Sequence, residues 1–69
     1  MDKDVNITTE YIKLDQLLKF AGAVSIGSEA KKLILDGKVS LNGQPCLIRG
    51  KKIYPGDVVT VNGVEITIH

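Results

Sequence analysis

The sequence predicts a small α+β domain in which two short N-terminal helices pack on a small, mostly antiparallel sheet with hairpin turns. In the first half of the chain, apolar residues recur at the spacing of amphipathic helices. In the second half, valine and isoleucine alternate with polar residues, as in half-buried strands. Two Asn-Gly pairs, at positions 42–43 and 62–63, favour two-residue hairpin turns. Because 69 residues are enough for one domain, we expect residues 1–69 to form a single unit.

The first helix is expected to begin near Lys13 and to end at Gly22, after a short strand at residues 5–8. Lys19 faces outward from this helix, and Phe20 lies beside its apolar stripe, so we expect the Phe20 ring to pack. At about 100° per residue, the stripe consists of Leu14, Leu17, Leu18 and Ala21.

The second helix is expected to start at Ser25, whose hydroxyl can accept a hydrogen bond from the free N–H groups of the first turn. Gly37 supplies the left-handed residue that ends the helix. Lys32 points away from the core in this reading. The buried stripe consists of Ile26, Ala30, Leu33 and Ile34.

Four strands are expected after the second helix, and an Asn-Gly turn closes each of two hairpins. Pro45 limits how well the second strand can pair. Cys46, in the same strand, is expected to be a small, buried apolar residue. Tyr11 and Tyr54 are expected to serve packing. The four strands cover residues 38–41, 44–48, 58–61 and 64–68.

Basic residues are concentrated in the middle of the chain, although the formal net charge is only +1. Residues 13–52 contain eight basic and three acidic residues, which gives this segment a charge of +5 against −4 for the rest. Such a segregation of charge favours a polyanionic partner. The alternative is a well-solvated surface whose imbalance arises by chance.

Other classes of function find little support. The single cysteine excludes an internal disulfide and favours a reducing, cytoplasmic compartment. No apolar stretch approaches the length of a membrane span, and the acidic, polar start does not resemble a signal peptide. His69 has no second ligand at metal spacing, so we expect neither a metal nor a cofactor. Nothing resembles a Ser-His-Asp or Cys-His arrangement, and we expect no enzymatic activity.

The order and spacing of several short motifs resemble a known family. In chain order these motifs are Lys13-Leu14-Asp15-x-x-Leu18, Gly22, Ser25, Ala30, Leu33-Ile34, Gly37-x-Val39-x-Leu41-Asn42-Gly43 and Gly56-Asp57-x-Val59. Over roughly residues 12–61 they resemble the RNA-binding domain named after small-subunit ribosomal protein S-four, also called the αL motif. The run Arg49-Gly50-Lys51-Lys52 ahead of Pro55-Gly56-Asp57 looks like the small standalone, YaaA/YbcJ-like branch.

The resemblance implies a non-catalytic protein whose two helices and following loop bind structured RNA. The expected partners are ribosomal or transfer RNA, or a ribonucleoprotein such as the ribosome, and we expect a monomer. One departure concerns the start of the second helix, where many family members carry arginine directly after the serine. This chain has Ile26 there, which removes a direct cationic contact.

Ten residues are candidate RNA contacts, namely Lys13, Lys19, Ser25, Gly27, Lys31, Lys32, Lys38, Arg49, Lys51 and Lys52. Residues 49–52 form the best cluster, because Gly50 leaves the loop free to adapt and Arg49 can form two hydrogen bonds to a phosphate. Their alternative role is to protect an edge strand from aggregation. Ser25 and Gly27 favour an anion site at a helix start, or an ordinary N-cap. For the lysines of the two helices, the alternative to RNA contact is an ordinary solvated helix face.

Two further functions compete with RNA binding by the basic face. A protein-interaction adaptor that docks on a ribonucleoprotein particle would use a sheet edge for strand addition. A ubiquitin-like sulfur carrier would resemble its relatives in ending with Gly-Gly, whereas this chain ends with Thr67-Ile68-His69. Within the RNA-binding reading, stacking of Phe20 on a base is the less favoured alternative to core packing.

Overall fold

The computed structural model describes residues 2–69 and confirms the α+β class predicted from the sequence. The helices are α1 (Leu14–Phe20) and α2 (Gly27–Leu35). The strands are β1 (Lys3–Val5), β2 (Ile12–Lys13), β3 (Val39–Leu41), β4 (Gln44–Pro45), β5 (Lys52–Ile53), β6 (Val58–Val61) and β7 (Val64–Ile68). Among residues 2–69, no helix combines the length and apolar character needed to cross a membrane.

The larger sheet has the strand order β1-β7-β6-β3-β4, and β2 pairs with β5 in a separate two-stranded ribbon. All pairs in the larger sheet are antiparallel except β1 with β7, which is parallel. The two Asn-Gly hairpin turns are confirmed. Asn42 and Asn62 have φ angles of 51° and 52°, and the glycine after each also has positive φ, as type I′ turns require.

A cluster of buried apolar side chains joins the helices to the sheet. The predicted stripe of α1 is confirmed, because all four of its residues are buried, and Ala30 and Ile34 of α2 are fully buried beside it. Each fully buried leucine or isoleucine contributes about 1.5–3 kcal/mol of hydrophobic stabilisation. At the far end of α1, the Lys3 Nζ atom donates a 2.8 Å hydrogen bond to the Ala21 carbonyl oxygen. This contact closes the C-terminus of the helix.

The start of α2 differs from the prediction. The N-cap residue is Ile26 rather than Ser25, and no side chain caps the helix. Ile26 is 56% exposed instead of buried. Its backbone is extended (φ −134°, ψ 160°), so the helical period that assigned it to the core does not yet apply at this position.

Phe20 is also placed differently, since 66% of its surface is exposed. The three leucines of α1 fill the inner face of this short helix. Phe20 lies about 60° from Leu17 on the helical wheel, which is enough to keep its ring outside the core.

Two strand predictions need correction. The strand expected at residues 5–8 lies earlier, at Lys3–Val5, because Val5 pairs with Ile68 of β7. The strand expected at residues 44–48 ends at Pro45, and Cys46 follows it as a half-buried residue outside any strand. Pro45 lies opposite Ser40, and the Cys46 N–H group after it still donates to the Val39 carbonyl oxygen at 2.9 Å. The missing N–H group of Pro45 therefore removes no hydrogen bond to β3, because hydrogen-bonded and non-hydrogen-bonded pairs alternate along an antiparallel ladder.

Asn42 links its hairpin to the turn before β6. Its Oδ1 atom accepts a 2.9 Å hydrogen bond from the Val58 N–H group, and its Nδ2 atom donates to Asp57 Oδ1 at 3.2 Å. The other carboxylate oxygen of Asp57 accepts a 2.8 Å hydrogen bond from the Tyr54 N–H group. The Asn-Gly and Gly-Asp motifs therefore act together to fix the turn that follows β5.

The two hairpins allow this linking role to be measured separately from turn geometry. Asn42→Gly retains the positive φ but removes both side-chain hydrogen bonds, so we expect a loss of about 1–2 kcal/mol in the free energy of unfolding. Asn62→Gly is the matched control, because Asn62 has nearly the same φ and no side-chain hydrogen bond among residues 2–69. Urea denaturation of both variants tests this difference, and equal losses would contradict the linking role of Asn42.

Candidate nucleic-acid interface

The N-terminus of α1 is closed by the segment that carries the predicted basic loop. The Leu14 N–H group donates to the Lys51 carbonyl oxygen at 2.9 Å, and the Asp15 N–H group donates to the Arg49 carbonyl oxygen at 3.1 Å. The Gln16 N–H group donates to Asp15 Oδ1 at 2.8 Å. The first turn of α1 therefore has its donors satisfied by the protein itself, and the backbone of residues 49–51 is held against the helix.

Segment 49–52 is consequently more constrained than the sequence suggests. The carbonyl groups on both sides of Gly50 are hydrogen-bonded to α1, and the Lys51 N–H group donates to the Ile48 carbonyl oxygen at 3.1 Å. Lys52 lies in β5 rather than in the loop. Only the side chains of this segment remain free to adjust to a ligand.

The ribbon of β2 and β5 brings Lys13 next to this segment. Lys13 pairs directly with Lys52, and Ile12 pairs with Ile53. Ile53 is fully buried, so the two lysines lie on the opposite, solvent-facing side of the ribbon. We name the four exposed cations of this region, Lys13, Arg49, Lys51 and Lys52, the basic cluster.

The members of the basic cluster have no acidic partner within the part of the chain that the structure describes. Among residues 2–69, the one contact with salt-bridge geometry joins His69 Nε2 to Asp4 Oδ1 at 2.9 Å, and no lysine or arginine has such a contact. The Lys52 Nζ atom instead lies 4.9 Å from the centroid of the Tyr11 ring, which is the geometry of a cation–π contact. The positive charges of the cluster are thus available to an external anion.

The cations of α2 and its C-terminal turn have a different electrostatic setting. Lys32 and Lys38 line an open depression together with Glu29 and Asp36. Two acids offset two cations there, so a polyanion gains less from this region than from the basic cluster. Lys31 is exposed on α2.

The start of α2 is poorly suited to bind an anion. Ser25 and Gly27 are both exposed, as the predicted anion site would require. However, the Ser25 N–H group donates to Glu29 Oε1 at 3.3 Å, which places a carboxylate at this helix terminus. That negative charge competes with any external phosphate.

The outer face of α1 carries the remaining predicted cation. Lys19 and Phe20 line a depression together with Ile12 and Gln16. A neighbouring depression, lined in part by Tyr11, Lys13 and Gln16, continues from it. The sequence does not show that this face of α1 continues into the basic cluster. The continuity depends on the pairing of Lys13 with Lys52, and strands β2 and β5, with two residues each, leave no periodic signal.

The described residues offer no evident site for a metal ion. Among residues 2–69, no group of three or more histidine, cysteine, aspartate or glutamate side chains is placed to hold one.

Comparison with known proteins adds two findings. The family model described as "S4 domain" matches residues 5–69. A curated protein of Bacillus subtilis (strain 168), named "Probable ribosome maturation protein RlbA", is 40% identical over 63 residues. That alignment covers 91% of this chain and 89% of the relative.

The uncapped start of α2 leads to a stability prediction. Ile26→Ser puts a capping hydroxyl at the N-cap position, with Glu29 three residues later as in a capping box. Because Ile26 is exposed, little core packing is lost, and we expect a gain of about 1 kcal/mol in the free energy of unfolding. Ile26→Val is the control, since it adds no hydroxyl and should leave stability nearly unchanged. A loss of stability in Ile26→Ser would contradict the N-cap assignment.

Proposed function

The chain belongs to the S4 domain family, and on that premise we propose that it is a non-catalytic RNA-binding protein acting through residues 5–69 as one module. Its proposed contacts are with the phosphate backbone of structured RNA, through a basic face formed by α1, α2 and segment 49–52. The name of the Bacillus subtilis relative directs the proposal towards ribosome maturation, with ribosomal or transfer RNA as the target.

The basic cluster is the observation that carries this proposal. Four exposed cations from two separate parts of the chain are brought together, and hydrogen bonds to α1 fix the backbone beneath two of them. Such a surface binds a polyanion with little ordering of its own backbone, which lowers the entropic cost of association. Release of counterions from the RNA supplies the favourable free energy.

Within the cluster, Arg49 and the lysines have different proposed roles. A guanidinium group can donate two parallel hydrogen bonds to one phosphate and so select an orientation. The ammonium groups of Lys13, Lys51 and Lys52 act as mobile point charges that follow the backbone. Lys19, Lys31, Lys32 and Lys38 extend the face, and the Ser25–Gly27 turn is its least favourable part because of Glu29.

A protein-docking role is the second candidate, and one observation favours it. Leu47 and Ile48 are 55% and 64% exposed, beside Pro45 and the half-buried Cys46. Exposed apolar residues of this kind suit a partner protein on a ribonucleoprotein particle. Binding that is insensitive to salt and lost in Leu47→Ser with Ile48→Ser would favour this candidate over RNA binding.

The proposed mode of binding predicts a steep dependence on salt. Contacts with four or five phosphates should give a slope of about −3 to −4.5 for log affinity against log salt concentration. The measurement is a titration of structured cellular RNA with the protein at several salt concentrations, followed by sequencing of the retained RNA. Failure to bind even at low salt would reject the proposed function.

Charge reversal within the basic cluster tests its location. Lys51→Glu with Lys52→Glu should abolish RNA binding while the fold survives, because both side chains are exposed. Lys32→Glu with Lys38→Glu is the matched control, since it changes the net charge equally in a region where Glu29 and Asp36 already offset the cations. We expect a clearly smaller loss of affinity in the control. Unchanged affinity in the first variant would remove segment 49–52 from the interface, and equal losses would indicate that only net charge matters.

A further inference from the structure

Aromatic side chains lie at both ends of the outer face of α1. Phe20, the last residue of the helix, is 66% exposed. Ahead of the helix, the Tyr11 and Tyr54 rings meet with their centroids 5.9 Å apart and their planes tilted by 50°. Tyr54 is 42% exposed, and Tyr11 is half-buried. These are all three aromatic residues of the chain, and all reach the surface around one helix.

The surface between the two aromatic ends is continuous. The depression beside Tyr11 and the depression beside Phe20 share Ile12 and Gln16 as lining residues. The seven residues of α1 span about 10 Å along the helix axis. This distance corresponds to roughly three steps of a stacked nucleic-acid strand at about 3.4 Å each. A strand of three or four stacked nucleotides is therefore about as long as α1.

The charge of this surface suits a nucleic-acid strand. Lys13 and Lys19 line the two depressions, and the Lys52 ammonium group lies over the Tyr11 ring. Glu10 is the one acidic residue that lines them. The neighbouring Asp15 already uses its carboxylate to accept the Gln16 N–H group. Cations thus outnumber acids along a path that has an aromatic surface at each end.

We propose that unpaired nucleotides of a bound RNA strand stack on Phe20 and on the Tyr11–Tyr54 pair, with Lys13, Lys19 and Lys52 neutralising their phosphates. The proposal rests on the proposed RNA-binding function and adds a preference for single-stranded segments next to the structured part of the RNA. Aromatic rings suit this role because every base presents a face on which they can stack, whereas bases within a duplex are covered by their neighbours. The Gln16 amide, between the two ends, can donate and accept hydrogen bonds with base edges.

The preference can be tested with two RNA probes of equal length. One is a 12-nucleotide strand of adenine and cytosine only, which cannot pair with itself, and the other is a 12-base-pair duplex. Phe20→Leu and Tyr54→Leu keep the net charge and replace an aromatic ring with an apolar side chain, and they leave the contact between Lys52 and Tyr11 in place. For the single strand, each should weaken binding about five- to 100-fold, whereas affinity for the duplex and the salt slope should not change. Leu47→Ala is the control, because Leu47 is an exposed apolar residue outside this surface.

A fluorescence measurement gives a second, independent readout. The chain contains no tryptophan, so Phe20→Trp introduces a single indole at the proposed stacking position. Stacking of a base on that indole should quench its fluorescence when the single-stranded probe is added, and the duplex should quench it much less. Leu47→Trp should show little quenching with either probe.

The outcomes separate this proposal from the function on which it rests. If the unaltered protein binds neither probe, nor structured cellular RNA at low salt, then RNA binding and stacking both fail. If it binds RNA with a steep salt slope but Phe20→Leu and Tyr54→Leu retain full affinity for the single strand, only stacking fails. Equal losses for strand and duplex would also overturn it, because they would indicate a structural effect. In either of the last two cases, contact with a partner protein would become the alternative explanation for the exposed Phe20 ring.

Discussion

The fold and the candidate interface both depend on the two hydrogen bonds from the start of α1 to the carbonyl groups of Arg49 and Lys51. α1 has seven residues and no side-chain cap, and so short a helix is not stable without external contacts. The segment that carries the basic side chains supplies the missing caps, while the helix fixes the position of that segment. Stability and function are therefore coupled at one contact, and a backbone change at Gly50 would affect both.

The parts of the fold that could be predicted are those with a repeated sequence signal. Leu14, Leu17 and Leu18 follow the helical period, and the two Asn-Gly turns need only local geometry. Strands β2 and β5 could not be predicted, because two residues carry no period and their pairing depends on tertiary contacts. The parallel pairing of β1 with β7 joins opposite ends of the chain, which no local pattern indicates.

The candidate site shows the same division. The sequence identifies every cation of the basic cluster, yet it does not show that Lys13 lies opposite Lys52, since that depends on the unpredicted ribbon. The sequence also predicts that Phe20 packs in the core, whereas its side chain is exposed. A helical wheel gives the direction of a side chain, but it does not show how much of the helix surface the rest of the protein covers. The helical period places Ile26 in the buried stripe of α2. Ile26 is instead the N-cap of this helix, and the helical period does not apply to the extended backbone at that position. Each error arose where tertiary structure, rather than local pattern, decides exposure.

The pairing of β1 with β7 has a consequence for how the protein matures. Residues 3–5 are synthesised before residues 66–68, so β1 has no sheet partner until all the residues between them have been made. The helices, the β3–β4 hairpin and the pairing of β3 with β6 can form earlier, whereas β1 remains unpaired and its apolar Val5 remains exposed. Contacts between residues so distant in sequence slow folding, because the entropic cost of closing a long loop precedes the favourable free energy of the contacts. The edge strand β1 is therefore expected to be the last part of the sheet to become ordered, both on the ribosome and after refolding.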